Sequence, residues 1–208
     1  QGRGVDQHFA DDEMISIVDT AHRLGLKVAA HAHGKGGVEA AVAAGVDSIE
    51  HGTYLDEDGA KLMKRTGSYM VPTLMAFEGI REGLAENRYT PVVSEKVRQT
   101  LEIVGNGLKL AVKRGVNIAF GTDAGVFEHG RNAGEFELMM RYAGMDAEAT
   151  LKSATIDAAN LLGMSSIGTI EAGKYADIIA VDGDPLKDVT VLENMRFVMK
   201  DGKVIDLD

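Results

Sequence analysis

Across residues 11–24 the apolar positions Met14, Ile15, Ile17, Val18, Ala21 and Leu24 recur at helical spacing. The stretch opens on acids and closes on Gly25, the polarity a helix favours. The pattern then changes to a short apolar run, LKVAAHAH, read as a buried strand. An Ala-rich helix over 36–44 stops at Gly45, and VDSIEH is the next strand. A helix over 57–64 leads through Gly67 into SYMVPTLM, a third strand whose proline fits a strand end better than its middle. Residues 94–114 carry Val97, Leu101, Val104, Leu108 and Val112 on one stripe, which predicts a single long helix stopped by Gly115. VNIAFGTDA then supplies a fourth strand, and helices over 133–143 and 146–162 follow.

Four strands alternating with helices imply a parallel sheet with helices outside it, because parallel neighbours need long crossovers. A complete (β/α)8 barrel takes about 250 residues, so residues 1–163 hold about half of one. Beyond Gly163 the texture changes. IGTIEAGKYADIIAVDGDPL and FVMKDGKVIDL read as short strands joined by Gly-containing turns, with no helix between them. The predicted organisation is therefore α/β, with a partial barrel over 1–163 and a small β-appendage over 164–208.

Composition removes several classes of function. The chain has 208 residues, 45% of them hydrophobic, enough to bury a sizeable core. A net charge of −10, with 22 basic residues scattered among 32 acids, argues against a nucleic-acid partner. Without cysteine there is neither disulfide nor thiolate, so any metal must be held by imidazole and carboxylate, which suits zinc. No apolar run approaches the roughly 18 residues a membrane span needs, and QGRGVDQHF lacks the apolar centre of a secretory signal. The expectation is a cytoplasmic chain without a membrane partner.

Three residues carry the chemistry: His31 in VAAHAHG, His51 in SIEHG and Asp123 in NIAFGTDAG, each ending a β-type run. Strand ends are where parallel α/β proteins gather catalytic and metal-binding side chains. His31 and His51 stand one β-α repeat apart, and neighbouring strands about 4.8 Å apart can bring two imidazoles to one ion. Asp123 would add a carboxylate that both binds the ion and accepts a proton from its water, giving hydroxide attack on a carbonyl. His33 shares the His31 face if the strand runs straight through HAH, although alone it reads as a solvated or hydrogen-bonded histidine. His33, Tyr54 and His129, all near strand ends or in the following loops, are candidates to face substrate. His8 and His22 read as exposed.

Two further patterns have simpler readings. GTIEAGKY nearly spells a phosphate-binding loop, but its last position is Tyr where a hydroxyl for magnesium is needed, and a strand follows where a helix should begin. It reads as a turn. HGKGG beside His31 can cradle an anion at a helix N-terminus, with a flexible βα turn as the default.

With these motifs in place, the chain resembles the amidohydrolase superfamily, in its imidazolonepropionase-like branch of Xaa-Pro dipeptidases and metal-dependent carboxypeptidases. LGLKVAAHAHG, AGVDSIEHGTYLDEDG, YMVPTL, GVNIAFGTDAG, EHGRNAGEFELMMRYAGM and the AANLLGMSSIGTIEAGKYADIIAVDGDPL tail with KDGKVI carry the resemblance, in the family's order and over nearly the whole chain. The resemblance implies a (β/α)8 barrel with a small β-sandwich. It makes His31 the metal ligand of the fifth strand, His51 that of the sixth, and Asp123 the eighth-strand residue that binds metal and shuttles the proton. The family's first-strand HxH motif and the fourth-strand lysine that bridges two metals in binuclear members have no counterpart, because Gln1 already lies beyond the fourth strand. HAH at 31–33 sits in fifth-strand surroundings and is not that first-strand pair.

The implied protein is the C-terminal half of a hydrolase of amide bonds, acting on dipeptides or N-acyl amino acids with one or two divalent ions, zinc by preference. Two alternatives stand beside it: a cyclic amidohydrolase of the imidazolonepropionase kind, and a non-catalytic module with a residual metal site. Half a barrel leaves two strand edges unpaired. Association with the missing half or with a second copy of the chain is therefore expected.

Overall fold

The computed structural model describes residues 5–207. Four strands, β1 (Ala29–Ala32), β2 (Ser48–His51), β3 (Tyr69–Val71) and β4 (Asn117–Ile118), form one parallel sheet in the order β1-β2-β3-β4. Helices α1 (Asp11–Arg23), α2 (Lys35–Ala44) and α3 (Glu57–Thr66) precede or link the first three strands. Ile49, Met70 and Ile118 of the strands are buried with Val38 and Val42 of α2 and Met63 of α3. Apolar burial on this side fixes the sheet's helix-covered face. Ala29 and His31 of β1 remain exposed.

Several predicted elements are corrected. The run SYMVPTLM is a strand only to Val71; Leu74 already begins helix α4 (Leu74–Ala85). The expected long helix is two, α5 (Pro91–Leu101) and α6 (Asn106–Arg114), because Gly105 adopts φ +81 at the N-cap of α6 and turns the chain out of the stripe. Leu108 and Ala111 of α6 still join the main core, with Leu138 and Met139 of α7 (Gly134–Ala143). The helix expected over 146–162 divides into α8 (Ala147–Ser153) and α9 (Ile156–Leu162) at Thr155, whose φ of −124 and ψ of −92 are not helical. β4 pairs over only two residues, with one further ladder bond from Ala119 N–H to the Met70 carbonyl at 3.0 Å.

The C-terminal region holds a separate antiparallel sheet of β5 (Ile178–Val181), β6 (Met195–Lys200) and β7 (Lys203–Ile205). A 3-10 turn, Val189–Glu193, interrupts what was expected to be strands and turns alone. Its Val189 and Leu192 are buried with Ala147, against Phe136 and Met140 of α7. The phosphate-loop look-alike at 168–175 lies in turns, with Lys174 N–H bonded to the Glu171 carbonyl at 3.2 Å. Among the described residues no helix is long and apolar enough to cross a membrane.

Candidate metal centre

The site gathers at the C-terminal ends of β1, β2 and β3. Aligned residues of a parallel ladder share a face, and successive residues alternate. His31 is aligned with Glu50, and Ala32 with His51. Regular alternation would therefore send His51 to the face of Ala32, away from His31. Instead His51 has φ 74, a conformation uncommon for a residue with a side chain. The alternation breaks there, and His51 Nε2 lies 2.8 Å from His31 Nδ1.

Two further ring nitrogens are held by hydroxyls. His51 Nδ1 is hydrogen-bonded to Thr73 Oγ1 at 2.6 Å, and His33 Nδ1 to Thr53 Oγ1 at 2.7 Å. The His33 and His51 rings stack with centroids 4.6 Å apart and planes 14° from parallel. The Tyr54 N–H donates to the His33 carbonyl at 2.9 Å, tying the two strand ends together. One donor atom from each of His31, His33 and His51 lies within 4.8 Å of the others. Bonding one imidazole nitrogen to a hydroxyl is the usual support for a histidine ligand; it turns His33 Nε2 away from Thr53 and His51 Nε2 toward His31. Three imidazoles suit a borderline divalent cation, so this donor set fits a metal of the zinc type.

Burial favours the neutral form of the His33 and His51 rings. His51 is 8% exposed, and burial, then His33 and His31, push its pKa down to about 4. Burial and then His31 also hold His33 below its ordinary value, while the Asp123 charge pulls the other way. Burial raises Glu50, which accepts from the Ser48 hydroxyl at 2.6 Å. An unprotonated imidazole is what metal binding requires.

The other candidates lie outside the three-histidine group. Asp123 does not end its strand as expected: β4 stops at Ile118, and Asp123, exposed and at φ 54, lies five residues further on; it is not in the three-histidine group, but its charge is felt at His33 and Glu50. Tyr54 is 38% exposed just past His51, and His129 is exposed in the loop between β4 and α7. Sequence reasoning missed Thr53 and Thr73, the latter at φ 51. Their signal was positional, since each stands two residues beyond the end of β2 or β3. Beside His31 a groove of about 400 Å³ runs along the open edge of β1, lined by Phe9, Met14, Ile17 and Val28.

Comparisons with known proteins place the chain in a family. The sequence profile of the Amidohydrolase family matches residues 3–205. The chain is similar to the ochratoxinase of Aspergillus niger, 33% identical over 204 residues that make up 94% of this chain and 41% of that protein. It is also similar to the imidazolonepropionase of Rhizobium rhizogenes, 31% identical over 183 residues. Among solved structures, a Xaa-Pro dipeptidase with methionine bound in its active site superposes with a TM-score of 0.91 at 42% identity, over 96% of this chain and 49% of that one. A prolidase complexed with N-methylphosphonate-L-proline superposes at 0.86 with 32% identity. The chain spans about half the length of the relatives it matches.

Proposed function

Because the chain belongs to the amidohydrolase family, we propose that it carries the C-terminal half of a metal-dependent hydrolase of amide bonds, with β1 to β4 as strands five to eight of a (β/α)8 barrel. In this reading residues 1–163 are the barrel portion and 164–208 belong to the small β-sandwich. The observation that carries it is the facing pair His31 Nδ1 and His51 Nε2 at adjacent parallel strand ends, the second ring fixed from behind by Thr73. His31, His51 and Asp123 would hold the metal, taken to be zinc, with one or two ions in the whole enzyme. When bound, such an ion supplies Lewis acidity to the carbonyl and lowers the pKa of water toward about 7.

The chain's own residues have separate tasks. Thr53 and Thr73 orient the rings of His33 and His51. Asp123, exposed five residues beyond the end of β4, takes a proton at its carboxylate from the attacking water and passes it to the leaving nitrogen. His33, Tyr54 and His129 face the substrate, a dipeptide or an N-acyl amino acid. The 42% identity to a Xaa-Pro dipeptidase, against 31% to an imidazolonepropionase, favours a dipeptide over a cyclic amide. The unpaired edge of β1 and its apolar groove would take the remaining strands, or a second copy of the chain.

The test is amino-acid release from a panel of Xaa-Pro dipeptides and N-acyl amino acids by the full-length protein containing this chain, loaded with zinc. Hydrolysis lost in Asp123→Asn is the expected result. Turnover confined to imidazolone ring opening would move the reading to the cyclic substrate, and no turnover of any of these would leave the non-catalytic module.

A further inference from the structure

The most deeply buried acid in the described chain is absent from the chemistry above. Glu135, in the first turn of α7, is 0% exposed. Its Oε1 accepts the Leu74 N–H at 2.8 Å and its Oε2 the Met75 N–H at 2.7 Å, across sixty residues of sequence. Those amides open α4, where the first N–H groups have no partner within the helix. Gly134 permits the approach, since a Cβ there would stand 2.7 Å from Met75 Sδ.

A helix start is ordinarily capped by the hydroxyl or carboxylate of its own N-cap residue. The N-cap of α4 is Thr73, a residue well suited to that task, yet it makes no side-chain cap bond. Its hydroxyl is bonded to His51 Nδ1 instead, and its backbone sits in the left-handed region at φ 51 and ψ 43. A β-branched residue rarely adopts that conformation, and it persists only where surrounding bonds over-determine it. The bonds beside it are the two that Glu135 accepts from the residues directly after Thr73. The capping duty of Thr73 has passed to a carboxyl on another helix, leaving the threonine hydroxyl for the histidine.

From this division of labour we infer that Glu135 is a positioning residue of the metal centre, acting through Thr73 to hold the His51 ring with Nε2 toward His31. The inference rests on the metal-centre reading and goes beyond it by assigning the support that orients one ligand. Glu135 touches neither the metal nor the substrate in this scheme. A purely structural cap would stabilise α4 without influencing the His51 ring.

The two roles separate in a set of variants of this chain: Glu135→Ala, Glu135→Gln, Thr73→Val, Thr73→Ser, and the Glu135→Ala/Thr73→Val pair. The first readout is zinc affinity, measured by competition with a chromophoric chelator. Glu135→Ala and Thr73→Val are each expected to weaken zinc about 10- to 100-fold, the usual effect of removing a ligand's support. The pair should lose no more than the worse single variant, because both act on one contact. Thr73→Ser restores the hydroxyl and should recover affinity to within a few-fold. Glu135→Gln keeps one accepting oxygen and should fall between, which preserves the test if the alanine variant does not fold. The second readout needs no metal: nitrogen-15 spectra of the histidine rings in the chelator-treated chain should show one His51 tautomer, averaged in Glu135→Ala and Thr73→Val. Variants that lose folding stability but keep zinc affinity and the His51 tautomer would overturn the inference, as would losses that multiply in the pair. Failure of the unmutated chain to bind zinc would count against the metal-centre reading alone, and the tautomer spectra would still decide the role of Glu135.

Discussion

Gly107, at the start of α6, lies against the turn that follows His51. A Cβ placed on it would stand 2.2 Å from the Gly52 carbonyl oxygen and 3.4 Å from Met70 Cε. A carbon and a carbonyl oxygen need about 3.3 Å, so Gly107→Ala must force the helix and the turn apart by about 1 Å. The turn has little room to yield: Gly52 donates to the Ala32 carbonyl at 3.0 Å, and its backbone is at φ +54. Overpacking of this kind costs about 1–3 kcal/mol, and alanine returns up to about 1 kcal/mol in helix propensity. With the full propensity gain subtracted, the net expectation is destabilisation by up to about 2 kcal/mol, with weaker zinc binding because the displaced turn carries His51. Gly36→Ala on α2 is the control. A Cβ at Gly36 meets nothing within 4 Å, so only the propensity gain, up to about 1 kcal/mol, should remain. Urea unfolding of the two variants, with a zinc titration of each, measures both effects. If Gly107→Ala gained stability as Gly36→Ala does and kept its zinc affinity, the close approach would not be restraining the site.

Three further outcomes are expected. His51 has its folded pKa lowered to about 4 from an ordinary 6.5, so the unfolded chain takes up its proton first as pH falls. Its contribution is complete above pH 6.5 and is lost toward pH 4; urea midpoints of the chelator-treated chain should drop across that window, less steeply in His51→Asn. Burial pushes Glu135 up to about 8, ahead of the opposing amide bonds from Leu74 and Met75. Raised pKa values act in the opposite sense, so the stability difference between the unmutated chain and Glu135→Gln should shift against the unmutated chain as pH rises from 4.5 to about 8, and a pH-independent difference would contradict that burial. Finally, the unpaired β1 edge and exposed Phe9 and Ile17 should make the isolated chain associate in size-exclusion with light scattering; a stable, well-folded monomer would count against the open-edge reading.

The parallel sheet and its helical cover were legible because apolar runs and helical stripes alternate along the chain, each closed by glycine. What escaped the pattern depended on contacts between distant segments. Helix α4 was hidden behind Pro72 and by Gly79 and Gly83, which weaken a helix. Both glycines answer to neighbours: a Cβ on Gly79 would meet Phe127 Cβ at 2.8 Å, and one on Gly83 the Tyr89 hydroxyl at 2.6 Å. The break at Gly105 likewise follows from Tyr142, whose Cβ would stand 2.5 Å from an added Cβ. His31 and His51 were visible as histidines at strand ends, but the facing of their rings depends on the positive φ of His51 against a one-residue register offset. No periodicity encodes that. Thr73 and Glu135 were illegible for the same reason, since their partners are fixed only when β2, α4 and α7 meet.

The central claim is that His31 and His51 are two arms of one metal site. Its most direct measurement is a calorimetric titration of zinc into the chelator-treated 208-residue chain, repeated with His31→Ala and His51→Ala. Saturable binding that either substitution abolishes is the expected result. An unmutated chain that takes up no zinc, or binding that survives both substitutions, would contradict the claim.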